Sequence, residues 1–469
     1  MPTVANWMDI SYREFDDENF SMQTRTTPEK LLKPWLPQPQ KTYIFRNANI
    51  INPVDGSVRS NSTVKISGGF VESITDTIAE EAEIADSGVT VLDLGSKYLC
   101  PGLIDCHVHL TAVPGGKDLG GAFGIAEDVS KFRQPFVCQQ MLRRGFTTVR
   151  DCGGASLALK EAIAEGVFQG PRLFIAGHAL TQTGGHADLR ASHDHTECCG
   201  GTVTGLGRLC DGVPECIKYA REELRSGADF IKIMTGGGVA SPTDALTNLQ
   251  FTAEEIQAIT TVADTYDTWV TAHAYTPRSI MHAINNGVKG IEHGNMIDTE
   301  TAKIMAEKGV FLTPTLIAYS EMSSPRWPGF LPPESVVKNE AVLRAGLRSL
   351  QIASEAGVTL CYGTDLLGPL GIAQTKEFAI RSQVLSPLAI LQSATVNAAK
   401  MLRKPDFLGQ IQPGFAADLL ILTQNPLEDV TIFDEPDKNL LAVIKDGRVE
   451  TSRWSQLSEE VSNPVSVIE

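Results

Sequence analysis

Apolar and polar positions follow two rhythms along this chain, and the change between them divides it. From Thr42 to about Leu94, the runs "TYIFRNANIIN", "STVKISGGFVESI" and "VTVLDL" are rich in β-branched and aromatic residues and are separated by the turn pairs Asp55-Gly56 and Gly68-Gly69. They predict a small all-β unit. Further on, apolar runs alternate with segments of helical period such as "SLALKEAIAEGV", "PECIKYAREELRSG", "TAEEIQAITTVADTY" and "TETAKIMAEKG". Strand alternating with helix predicts a parallel sheet. The candidate strands are 98–106, 146–151, 172–176, 229–234, 269–273, 289–292, 310–315 and 358–363. Eight of them suggest closure into a (β/α)8 barrel of the TIM type.

After the helix-like "SPLAILQSATVNAAKML", β character returns in "ADLLILT" and "LAVIKDGRVE", where Asp446-Gly447 is a two-residue hairpin signal. These late strands have no sheet of their own to join. The economical organisation is an α/β chain with the barrel, 97–407, inserted into a small β-sandwich made of 42–96 and 408–455. Residues 1–41, ending in the Pro-rich "LLKPWLPQPQ", read as an extension, and 456–469 as a tail.

Composition narrows the function classes. With 469 residues and 42% hydrophobic positions the chain can bury a large core. Its net charge of −16 disfavours nucleic-acid phosphate, and no apolar run approaches the ~20 residues that span a bilayer. The first twenty residues lack the basic and apolar regions of a secretory leader, so the expectation is a cytoplasmic protein with reduced thiols. On that reading the sequon at Asn61 stays unmodified.

The nine histidines are not scattered evenly. In "GLIDCHVHL", His107 and His109 sit two positions apart at the end of the first barrel strand and so face the same side. Barrel enzymes place reactive groups at the C-terminal ends of their strands. There the sequence offers Lys232 in "FIKIMTGGG", His273 in "VTAHAY", His293 in "GIEHGN" and Asp365 in "LCYGTD". Any one of these histidines alone reads best as a hydrogen-bonded core residue. Together, mixed nitrogen and oxygen donors on successive strands suit a divalent first-row metal.

These stretches resemble the metal-dependent amidohydrolase superfamily. "PGLIDCHVH", "ADFIKIM", "TAHA", "GIEHG" and "YGTD" carry the likeness, and "GQIQPGFAADLLIL" resembles the return into the small β domain. Within the superfamily, "LTQTGGHAD", "IKIMTGGGVASP" and "TAHAYTPRSI" are most similar to the Xaa-Pro dipeptidase, Arg/Lys carboxypeptidase and ochratoxinase group. The resemblance implies two divalent metal ions, zinc by preference, held by His107, His109, His273, His293 and Asp365 and bridged by a CO2-derived carbamate on Lys232. It also implies Asp365 as the group that accepts and returns a proton, and a homo-oligomer.

The expected substrate is a small amide or peptide cleaved beside a terminal carboxylate: a dipeptide, an N-acyl amino acid or an ochratoxin-like amide. His186 and Asp188 in "GGHAD" are candidates to hydrogen-bond the substrate carbonyl or carboxylate, His186 with a catalytic share. Tyr275 and Arg278 are candidates to grip a free carboxylate. Glycines 236–238 allow either an anion nest or a close backbone approach. The stretch 178–216, with His193, His195, Cys198, Cys199, Cys210 and Cys216, reads as a long loop over the barrel mouth rather than a second zinc module. Two other readings stay open: hydrolysis of a cyclic amide or imidazolone ring, and a non-catalytic scaffold on the same fold.

Overall fold

The computed structural model describes residues 32–76, 88–194 and 206–460. The expected extension at 1–41 is therefore described from residue 32 and the tail at 456–469 to residue 460, while His195, Cys198 and Cys199 lie outside the described residues. In chain order the strands are β1 (Thr42–Ile51), β2 (Val58–Ser67), β3 (Phe70–Thr75), β4 (Val89–Asp93) and β5 (Tyr98–Pro101). Next come β6 (Leu103–Val108), β7 (Phe146–Asp151), β8 (Arg172–Ile175), β9 (Ala179–Thr181), β10 (Gly207–Leu209) and β11 (Ile231–Met234). The series ends with β12 (Val270–Ala274), β13 (Gly290–His293), β14 (Phe311–Thr313), β15 (Thr359–Leu360), β16 (Leu419–Leu422), β17 (Leu440–Lys445) and β18 (Arg448–Ser452).

One mixed sheet joins the two ends of the chain in the order β18-β17-β16-β5-β1-β2-β3, with β4 pairing β1. Its late strands thus find their partners in the early segment. Leu419 and Ile421 of β16 bury one face with Phe45, Ile66 and Ile444. Leu420 and Leu422 turn the other way, into the main core with Cys100, Val149 and Val443. Both faces are covered, so the segment reads as an unbroken apolar run instead of an alternating one. The β17–β18 hairpin closes at Asp446 and Gly447, with φ of 48° and 74°, the left-handed pair that such a two-residue turn needs. The residues after 455 continue onto this sheet, where Tyr43 Oη donates to Glu460 Oε1 at 2.7 Å.

The parallel strands form two runs, β6-β7-β8 and β10-β9-β11-β12-β13-β14-β15. Backbone bonds join them at both seams: Asp229 N donates to Ile175 O at 2.7 Å, and Cys106 N to Tyr362 O at 2.8 Å. Helices with side-chain caps lie between the strands, among them Ala253–Thr265 with a Thr252/Glu255 capping box and Thr299–Glu307 capped by Asp298. No helix among the described residues is long and apolar enough to cross a membrane.

Three sequence expectations shift. The strand expected at 98–106 is two strands, β5 in the mixed sheet and β6 in the parallel set, with Gly102 between them. Gly102 N donates to Asp418 O at 2.8 Å and completes the mixed sheet, while a Cβ there would stand 2.1 Å from Thr147 Oγ1. The helix expected over "SPLAILQSATVNAAKML" breaks at Thr395 into Pro387–Ser393 and Val396–Met401. The stretch expected to loop at 178–216 contains β9, β10 and the start of a helix, Gly212–Arg225. Its Cys210 and Cys216 are buried, with sulfurs 3.9 Å apart.

Candidate active site

The C-terminal ends of the parallel strands bring the expected residues around one small cavity of about 70 Å³, lined by His107, His109, His186, Lys232, His273, His293 and Asp365 among others. A larger cavity of about 520 Å³, between residues 37–41 and the mixed sheet, holds no such constellation. Period two carries His107 and His109 to the same carboxylate: their Nε2 atoms lie 3.5 and 3.2 Å from Asp365 Oδ1. Pairing of β11 with β12 sets Met234 beside His273, two residues from Lys232. His293 (φ 75°), Thr315 (φ 50°) and Asp365 (φ 51°) are left-handed. Such backbone costs roughly 1–3 kcal/mol per residue and gathers at functional sites. At His293 it breaks the strand alternation, so that Glu292 and His293 both face inward.

Each of the four barrel imidazoles has one nitrogen committed to a protein oxygen. His107 Nδ1 lies 2.8 Å from Glu292 Oε2, and His109 Nδ1 lies 2.9 Å from Gly153 O. His273 uses Nε2, 3.2 Å from Gly237 O. His293 Nδ1 meets Thr315 Oγ1 at 2.7 Å and Tyr319 Oη at 2.9 Å. A ring nitrogen held in this way fixes the tautomer and leaves the other nitrogen as a lone-pair donor. The nitrogens so freed are Nε2 of His107, His109 and His293, and Nδ1 of His273.

The charges agree with that use at three of the four rings; at His109 burial acts downward, but the hydrogen bond and charge of Asp365 outweigh it and raise the pKa. Burial lowers the pKa of His107 to about 4, with Lys232 adding to the effect. Burial likewise pushes His273 and His293 well below the ordinary imidazole value. For Asp365 burial acts upward, but the imidazoles of His107, His109 and His293 outweigh it and hold the carboxyl well below the usual range. Lys232 is 1% exposed and makes no hydrogen bond or ion pair among the described residues. A buried ammonium left so is costly; as a carbamate it would become an anionic oxygen donor instead.

These residues fit a divalent metal: imidazoles that each keep one nitrogen free of the bonds just described, a hard carboxylate, and a lysine that makes no hydrogen bond or ion pair among the described residues. Ligand atoms of His107, His293 and Asp365 lie within 4.8 Å of one another. A second such group, His107, Cys152 and Glu292, is of another kind. There Glu292 is already bound to Arg150 Nη2 and Thr271 Oγ1, each at 2.5 Å, and Cys152 donates to Cys106 O.

The expected substrate groups separate. His186 enters the cavity wall and stacks on His273, ring centroids 4.1 Å apart. Tyr275 is buried, packs edge-on to His273 and spends its hydroxyl on Tyr319 Oη at 2.9 Å. The structure does not bring Asp188 or Arg278 to the cavity. Asp188 is ion-paired with Arg190 at 2.7 Å. Arg278 is exposed on the first turn of the helix Pro277–Asn285, because the Thr276/Ser279 capping box turns the chain outward. The glycine run is no anion nest: the Gly237 amide donates to Asn248 O and that of Gly238 to Asp244 Oδ2. Close approach explains it, since a Cβ on Gly238 would stand 1.9 Å from the His186 ring.

Several functional neighbours escape a sequence reading. Glu292 and Arg150 are hidden among strand residues; Ser241 and Asp244 stand behind His186 on one loop, which Lys338 braces from a distant segment. The one available signal is that Glu292 is a charge inside an otherwise apolar strand, next to His293.

The model of the amidohydrolase family matches residues 98–449. Ochratoxinase of Aspergillus niger is 32% identical over 420 residues, which cover 86% of this chain and 85% of that protein. Among solved structures, an amidohydrolase is 42% identical with a TM-score of 0.83, covering 87% of this chain and 98% of its own. A prolidase complexed with N-methylphosphonate-L-proline is 38% identical with a TM-score of 0.83, covering 88% of this chain and all of its own.

Proposed function

The chain belongs to the amidohydrolase family and is a hydrolase acting on C–N bonds, and from that premise we propose that it cleaves an amide or peptide bond beside a terminal carboxylate at a binuclear metal centre. Dipeptides, N-acyl amino acids and ochratoxin-like amides are the substrate class. The observation that carries this reading is the set of four imidazoles, each with one nitrogen tied to a protein oxygen, around Asp365 and the partnerless Lys232. We take His107, His109, His273, His293 and Asp365 as the ligands and Lys232, carboxylated by CO2, as the bridge, with zinc as the expected metal. We also take β6, β7, β8, β11, β12, β13, β14 and β15 as one closed eight-stranded barrel, the mixed sheet as a β-sandwich, split as 42–96 and 408–455, and the enzyme as a cytoplasmic homo-oligomer.

When bound, divalent metals polarise the scissile carbonyl and bring water towards ionisation near neutral pH. The rest falls to the chain. Asp365, anionic and 3.2 Å from His109 Nε2, holds a proton from the attacking water and returns it to the leaving amine. The apolar wall of Phe123, Ala187, Leu189, Met234 and Leu367 limits access of bulk water. His186, on the cavity wall, orients the substrate, and Tyr275 packs against His273 behind it.

A panel of dipeptides and N-acyl amino acids against lactams and hydantoins tests the reading. Turnover of the open-chain amides is expected. Turnover confined to the rings would replace it with the cyclic-amide reading, and a purified protein with no divalent metal and no response to zinc and bicarbonate would favour a scaffold.

A further inference from the structure

Beside the helix Glu127–Arg143 lies a cavity of about 320 Å³ that the candidate active site does not use. The linings of the two share His109 alone. Phe136, Gln140 and Arg144, with Val137 and Met141, line the new cavity at four-residue spacing, which puts them on one face of the helix. At a rise of ~1.5 Å per residue that face runs about 12 Å from Phe136 to Arg144. Trp327, Leu366 and Ile372 come from other segments to complete an apolar wall, and Phe136 and Ile372 are more than half exposed, so the cavity is open to solvent on that side. The polar groups gather towards the C-terminal end of the helix. Arg144 and Gln140 also line a second cavity, of about 600 Å³, whose other walls are mainly polar and charged. Arg144 Nη1 donates to Gln374 Oε1 at a long 3.4 Å, its only side-chain hydrogen bond among the described residues, and the Gln140 amide makes none. No carboxylate among the described residues pairs with Arg144, and burial lowers its pKa to about 10.

A cation at a helix C-terminus is ordinary, but a guanidinium drawn out of water normally meets an anion. We propose that this cavity binds a monocarboxylate with an apolar body, its carboxylate on Arg144 and Gln140 and its body along Phe136, Met141 and Trp327. The planar guanidinium offers two parallel N–H groups to a carboxylate, and the Gln140 amide, one turn away, offers a third. Size follows from volume: at ~30 Å³ per atom, the share a water takes in the liquid, the cavity holds about ten non-hydrogen atoms. An unbranched acid of that size matches the length of the helix face. A second negative charge is disfavoured, because the polar cavity beyond Arg144 already carries Asp434, Asp437 and Glu459. An apolar contact alone, as between two copies of the chain, would cover Phe136 and Ile372 and leave Arg144 without its anion. The site stands independently of the amide-hydrolase reading.

Tryptophan fluorescence of the full chain tests this, with 8-bromooctanoate as the probe, whose terminal bromine quenches a nearby indole, and 8-bromooctan-1-ol as its uncharged counterpart. Saturable quenching is expected in the parent and its loss in Trp327→Phe. The alcohol is expected to bind about tenfold more weakly than the acid, the worth of a hydrogen bond to a charged group. In Arg144→Met that ratio is expected to fall to about one. Ile372→Asp sets a carboxylate on the exposed rim and leaves Arg144 in place; there the acid is expected to weaken and the alcohol much less. In Lys232→Ala the quenching is expected to persist. A ratio near one in the parent, a ratio unchanged in Arg144→Met, or acid and alcohol weakened alike in Ile372→Asp overturns the role of the charge. Quenching that vanishes in Lys232→Ala places the acid at the candidate metal centre and overturns the separate site. Absence of quenching in the parent overturns the proposal outright, and a lower subunit number in Phe136→Asp then assigns the face to a second copy of the chain.

Discussion

Arg150 and Glu292 form an ion pair with no solvent exposure on either side chain, Nη2 to Oε1 at 2.5 Å, and the second oxygen of Glu292 holds His107 Nδ1 at 2.8 Å. One carboxylate thus neutralises a buried guanidinium and sets the tautomer of a candidate metal ligand. Glu292→Gln keeps the shape and removes the charge, which leaves Arg150 unpaired in the interior. Loss on the order of 3 kcal/mol of stability is expected, together with a roughly 10–100-fold weaker hold on metal. Thermal unfolding and metal titration of the variant measure both, and unchanged metal affinity would detach Glu292 from the centre.

Lys232 supplies the sharper test of the metal arrangement. Lys232→Ala is expected to lose bound metal and activity together, and a short carboxylic acid is expected to restore part of both by standing in for the carbamate. Elemental analysis of the variant with and without the acid reads the outcome. Full metal content without the acid contradicts a bridging role.

Asp365 can be separated from Lys232 by its proton. Asp365→Asn retains an oxygen donor but cannot take up a proton, so at least one metal is expected to stay while kcat falls about 10²–10⁴-fold. Steady-state kinetics beside metal analysis make the comparison. Undiminished turnover removes Asp365 from proton transfer.

What could be read in advance follows from locality. His107 and His109 are legible because a two-residue spacing at a strand end needs no knowledge of the rest of the fold, and the same holds for Lys232, His273 and Asp365 at the ends of apolar runs. Glu292 is not legible, because alternation from His293 puts it on the opposite face and only the left-handed backbone at His293 turns both inward. Arg278 misled for a related reason: nearness in sequence to His273 says nothing of direction once a capping box intervenes. The split at Gly102 depends on Asp418 and Thr147, and the chain behind His186 on residues up to Lys338. Those contacts are long-range, and no local pattern encodes them.

Stability carries a pH signature away from the cavity. Burial raises the pKa of Asp434 from 3.8 to about 7, Lys376 at 4.0 Å offsets this only in part, and Oδ1 has no hydrogen-bond partner. Between those two values the folded state keeps a proton that the unfolded chain has released, so the folded state binds more protons and stability falls as pH rises through the window. Above about 7 the carboxylate is charged in both states and the penalty is complete. Asp434→Asn removes the charge at every pH. The variant is therefore expected to exceed its parent by on the order of 2 kcal/mol at pH 8, by less at pH 6, and by nothing near pH 4, with turnover unchanged. Denaturant unfolding at those three pH values measures the gap, and a gap independent of pH, or one that widens towards acid, contradicts the assignment.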